Sequence, residues 1–91
     1  MKAWELLSDR SKWTRGAYAR TADGEWCSSW SEIAVRWCAV GAINRCYPDQ
    51  WDRLNAKLKV REKTADNDEL SKLNDAGEYD AVLAILKEAD V

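Results

Sequence analysis

Residues 34–46 read AVRWCAVGAINRC, and whether this tract is one buried helix decides how the rest of the chain is arranged. At ~100° per residue, Ile33, Trp37 and Val40 share one stripe, and Ala34, Cys38, Gly41 and Ala42 form an adjoining stripe of small side chains. Both stripes are apolar, so the pattern predicts a central helix over residues 31–46, started by Ser29 or Ser31 as its cap. The small stripe predicts a closely approaching neighbour helix, whose contact offsets the ~1 kcal/mol that Gly41 costs inside a helix. Arg36 is expected in solvent. Cys38, mid-helix and without a cationic neighbour or a helix N-terminus, reads as a small hydrophobe rather than a reactive thiol.

Working outward, Ala3, Trp4 and Leu7 give an apolar edge for a short first helix, and Ser8 is expected to cap a further turn that folds Trp13 onto the core. "AYAR" and "EWCS" flank "TADG", where Asp-Gly supplies the positive φ of a tight turn; this predicts a small β-hairpin within residues 17–28. Tyr47-Pro48-Asp49 interrupts the central helix and restarts the chain. Trp51, Leu54 and Leu58 then follow helical spacing, with Arg53, Asn55 and Lys57 outside. Asp66-x-x-Glu69 and Asp75-x-x-Glu78 have capping-box spacing ahead of two last helices. The final one carries Tyr79, Val82, Leu83, Leu86 and Ala89 on one face. The predicted fold is mainly α: one domain over residues 1–91, a compact bundle of four to five short helices around helix 31–46, with at most a small β-hairpin.

Composition removes several kinds of function. Of 91 residues, 46% are hydrophobic and 33% charged, a globular balance sufficient for one core. No apolar run approaches the ~20 residues of a membrane span, and the N-terminus lacks a secretory h-region, so the expected location is the cytoplasm. The chain has no histidine, which removes the usual general base and with it Ser-His and Cys-His nucleophile activation. Gly16, Gly24, Gly41 and Gly77 are isolated, leaving no phosphate-binding loop. Cys27, Cys38 and Cys46 include no C-x-x-C pair, and Cys38 and Cys46 on one helix would stand ~12 Å apart, too far for a disulfide. No enzymatic activity, metal or cofactor is expected.

"AVRWCAVGAI", then "LND", then "AVLAILKEA" resemble, in this order and spacing, an uncharacterised family of small proteins of bacteria and their phages. The pattern of that family is an Arg-Trp-Cys-x-x-Gly-Ala-Leu helix, a Trp-Asn-Asp turn and a closing Glu-Val-Leu-Ala-Leu-Leu-like helix. The chain departs from it at Leu73, where the pattern has tryptophan, and at Glu78, where it has a threonine cap. The resemblance implies a compact helical domain encoded in phage or mobile-element genomes, acting in the bacterial host cytosol, with no known activity.

Three features carry the functional reading. Asn74-Asp75 reads as a helix-end pair, with Asp75 capping the last helix, or as a polar contact for a cation or a partner's amide. Among six tryptophans, Trp4, Trp37 and Trp51 fit core positions, whereas Trp26 and Trp30 fall on no clear stripe and read equally as a floor for the core or as interface anchors. Residues 64–91 hold two basic against eight acidic residues, and residues 1–63 twelve against eight. The expected function is therefore a non-enzymatic protein-binding module. It would contact a basic partner, such as a nucleic-acid-processing host defence enzyme, through Trp26, Trp30, Asp75, Glu78 and Asp80, as an anti-CRISPR-like inhibitor would. The second reading is a nucleic-acid-binding accessory using Arg53, Lys57, Lys59, Arg61 and Lys63. A pI of about 5.1 counts against it.

Overall fold

The computed structural model describes residues 1–66 and 68–91. Among them are five α-helices, α1 (Ala3–Leu7), α2 (Ala39–Cys46), α3 (Gln50–Glu62), α4 (Glu69–Asp75) and α5 (Tyr79–Ala89). Three two-residue strands, β1 (Ala19–Arg20), β2 (Trp26–Cys27) and β3 (Arg36–Trp37), form an antiparallel sheet in the order β2-β1-β3. None of these helices is long and apolar enough to cross a membrane.

The hairpin forms where Asp-Gly places it. Gly24 has φ +87°, and β1 pairs with β2 so that Ala19 opposes Cys27 and Arg20 opposes Trp26. What the helical reading of residues 31–46 missed is that β1 has a second open edge. Arg36 and Trp37 fill it, opposite Arg20 and Ala19. The amides of Val35 and Cys38 donate to the carbonyls of Arg20 and Tyr18, at 2.9 and 3.2 Å. Buried backbone groups need partners, and this edge satisfies residues 35–38 as strand rather than helix. The central helix therefore begins only at Ala39, and β-structure extends beyond residues 17–28. Ser29 and Ser31 do not cap it; the Ser31 hydroxyl accepts from Ile33 N in a local turn. Ile33 is exposed, while Trp37 reaches the core by strand alternation, alongside buried Ala19.

Cys38 is consequently the N-cap of α2, not a mid-helix residue, and its sulfur accepts from Gly41 N at 3.2 Å. Gly41 is needed for close approach, as its place in the small stripe suggests, but the neighbour is not a helix. A Cβ there would lie 1.8 Å from the Tyr18 carbonyl oxygen.

The other boundaries follow local chemistry. Asp9, rather than Ser8, caps the 3₁₀ turn Arg10–Lys12 through Ser11 N. Asp49 caps α3, accepting from Trp51 N and Asp52 N. Neither α4 nor α5 has a side-chain N-cap bond, so both capping-box readings fail. The turn into α5 is instead a Schellman motif: Glu78 N donates to Leu73 O, Gly77 N donates to Asn74 O, and Gly77 has φ +83°. α5 packs Val82, Leu86 and Ala89 against Leu7 of α1 and Ile43 of α2 in one core, as its period predicts.

Candidate functional site

Helix α3 carries two apolar stripes at the same i, i+3, i+7 spacing. Ala56 and Val60, preceded by Arg53, form one, Trp51, Leu54 and Leu58 the other, and at ~100° per residue they lie on opposite sides. The smaller pair, Ala56 and Val60, faces the core. The larger side chains face outward: Trp51 is 66% exposed, Leu54 46% and Leu58 47%. Trp51 is therefore not a core residue. The reason is the space available, since α3 packs against both α2 and α5 and small residues on that face permit it. The stripe is visible in the sequence; its direction is not, because both stripes satisfy helical periodicity and bulk alone favours the wrong one for the core.

Trp30 belongs to the same region. Its indole N–H donates to Asn44 O at 2.9 Å, and the Arg53 guanidinium lies 5.5 Å from its ring. Arg53 also donates to the carbonyls of Tyr47 and Pro48 at 3.1 and 3.0 Å. It thus joins the 29–30 loop to the start of α3 and leaves Trp30 half-exposed, 49%, beside the helix. Beyond Leu54 and Leu58 a cleft of about 330 Å³ opens, lined also by Val40, Ile43 and Leu70, with Lys57 and Arg61 at its edge.

The basic run does not form one face. Lys57 and Arg61 edge this cleft, Lys59 lies in a separate hollow with Tyr47, Asp52 and Asn55, and Arg53 is held inside its hydrogen bonds. Lys63 is the C-cap of α3. Among the described residues none of the five takes part in an ion pair.

The proposed anchor set is likewise dispersed. Trp26 is 79% exposed because it shares the outer row of the sheet with Arg20 and Arg36, whereas Cys27, Ala19 and Trp37 form the inner row. Asp75, Glu78 and Asp80 lie at the α4–α5 junction, where Arg15 donates to Asp75 O at 3.3 Å and the Arg10 guanidinium stacks 4.9 Å from the Tyr79 ring. No hydrogen bond, ion pair or ring contact among the described residues joins Trp26, Trp30 and these carboxylates into one site.

Asn74 is structural, and at a longer range than a helix-end residue. It is buried, and its Oδ1 accepts from Trp13 Nε1 and from Ala39 N, at 2.8 and 2.9 Å, while Nδ2 donates to Thr14 O at 3.2 Å. Asn74 thus caps α2 from the end of α4. Asp75 does not cap α5; it is the last residue of α4. Cys38 does sit at a helix N-terminus beside this pair, but burial pushes its thiol above the ordinary cysteine value, more than the amides of Gly41 and Val40 lower it. A thiol so held is mostly protonated at neutral pH. All three cysteines are free, and no three Cys, Asp or Glu side chains among the described residues come together as a metal-binding group.

No curated protein and no solved structure matches the chain. A family model does, and the family is the kind that the Arg36-Trp37-Cys38 tract and the Asn74-Asp75 turn resemble. It matches residues 1–90 and is described as a family of unknown function, DUF6197; the chain belongs to that family.

Proposed function

We propose that this chain is a non-enzymatic protein-binding module that works by occupying a surface of another protein. The observation that carries the reading is the outward stripe Trp51, Leu54 and Leu58, with half-exposed Trp30 reaching the same helix through Arg53. Grouped exposed apolar side chains mark interaction sites, and tryptophan and arginine dominate the binding energy of such surfaces. The anchor role is thus assigned to Trp30 together with the face of α3, with Trp26 and the carboxylates Asp75, Glu78 and Asp80 left outside it. Inhibition of a host defence enzyme is the form of this reading that the resemblance to phage-borne proteins favours.

Direct nucleic-acid binding is the weaker reading. A phosphate backbone is tracked by a continuous basic face. Here Lys57 and Arg61 are separated from Lys59, and large apolar side chains occupy the exposed side of the same helix.

Affinity capture from host lysate, with and without nuclease, tests the proposal. One protein recovered in stoichiometric amount despite nuclease, and lost with Trp51→Ala or Leu58→Ser, is the expected result. Recovery that disappears with nuclease, or that both variants leave intact, would overturn it.

A further inference from the structure

The cleft between α3, α2 and α4 has features that identify what it accepts. Val40 and Ile43 of α2 and Leu70 of α4 line it, and Leu54 and Leu58 border it from α3. Lys57 and Arg61, one helical turn apart, edge it, and neither forms an ion pair among the described residues. A mainly apolar trough whose α3 wall also carries cations spaced i, i+4 matches a helix with an apolar stripe flanked by carboxylates at the same spacing.

We propose that this cleft is the docking groove for an acidic amphipathic helix of another protein. The proposal rests on the protein-binding reading above and specifies the partner's chemistry. A second copy of this chain offers no exposed acidic helix of that kind. Its acidic segment is residues 64–91, and the exposed positions of α4 and α5 there carry Ser71, Lys72, Asp75, Asp80, Ala84, Lys87 and Glu88, with no large apolar group to enter the trough. A small molecule fits less well, since about 330 Å³ is at the lower bound of the volumes such sites use.

The test is selection of random 16-residue peptides displayed against the immobilised full chain, followed by titration of the most enriched peptide into labelled protein by NMR. Enriched sequences are expected to carry apolar residues at i, i+3 or i+4 and i+7, and net negative charge. The Leu54→Ser/Leu58→Ser double variant should weaken binding at least about tenfold, because two exposed leucines leave the contact. Lys57→Glu/Arg61→Glu should shift the selected peptides toward basic sequences, and both variants should melt near the parent since all four side chains are exposed. Peptides that bind all variants equally, for instance at the outer sheet row near Trp26, would overturn the groove and leave the protein-binding reading standing. Enrichment of neutral or basic peptides by the parent, or no enrichment, would also overturn the groove. A single-stranded DNA or RNA oligonucleotide that shifts the same α3 resonances while no peptide does would overturn both.

Discussion

Asn74 shows how much one side chain can hold. Its buried amide joins the loop at residues 13–14, the start of α2 and the end of α4 through three hydrogen bonds, the one to Ala39 N fully buried and the other two partly so. Asn74→Ala leaves the Trp13 indole N–H, Ala39 N and Thr14 O without this partner, and an unmet buried group costs roughly 1–3 kcal/mol. Chemical denaturation should show a loss of about 3 kcal/mol or more. Asn74→Asp should not restore it, since the carboxylate keeps the acceptor but loses the donor to Thr14 and buries a charge. A variant as stable as the parent would show that the network is dispensable. Gly41 is constrained by backbone rather than by a side chain, and the Tyr18 carbonyl, held by the Cys38 amide next to β1, cannot swing aside. Gly41→Ala, normally favourable inside a helix, should here lower stability by about 3 kcal/mol, measured the same way.

At the scale of elements, α3 separates packing from periodicity. Ala56 and Val60 face inward, so Val60→Ala removes buried methyl groups and should cost about 1–2 kcal/mol in a thermal melt. Leu58→Ala removes a larger group from a half-exposed position and should cost less than about 0.5 kcal/mol. The reverse ranking would mean that the outward stripe is covered in the free protein. The sheet makes a related point about residues 35–38. Two hydrogen bonds to Arg20 and Tyr18 outweigh an unbroken apolar period, because the edge of β1 must be paired by something.

At the scale of the whole molecule, residues 2–3 meet residues 90–91. Ala3 N donates to Val91 O, the Tyr47 hydroxyl donates to the same oxygen at 2.9 Å, and Lys2 pairs with Asp90 at 2.6 Å. Asp90 adopts the left-handed conformation at the end of α5, φ +56°, which places its carboxylate toward α1. The hydrogen bond from Lys2 holds the Asp90 carboxyl below the ordinary aspartate value, and the same bond raises Lys2 above the ordinary lysine value. A depressed acid contributes stability above its unfolded pKa and loses it as pH falls through the folded one. A raised base contributes below its unfolded pKa and loses it as pH rises through the folded one. The pair is thus complete at neutral pH and is lost in acid and in strong base. NMR titration should find the Asp90 midpoint low in the parent and returned toward the ordinary value in Lys2→Met. Added salt should shrink the difference, since both groups are exposed. An unchanged midpoint would show that the pair does not form in solution.

Local chemistry alone determined the Asp-Gly hairpin, the break at Pro48, the existence of α3 and the buried face of α5. Each depends on neighbours a few residues apart, through a turn's φ, a missing amide hydrogen or a 3.6-residue period. The family resemblance was likewise legible, carried by Arg36-Trp37-Cys38 and Asn74-Asp75. Only the tertiary structure decided the rest. The start of α2 depends on an open strand edge sixteen or more residues earlier, Gly41 answers to the Tyr18 carbonyl, and Asn74 caps a helix 35 residues upstream. The candidate site falls in the same group. Two equally periodic stripes on α3 compete for the core, and the closeness of α2 and α5, which no local pattern encodes, turned the small residues inward and left Trp51, Leu54 and Leu58 exposed.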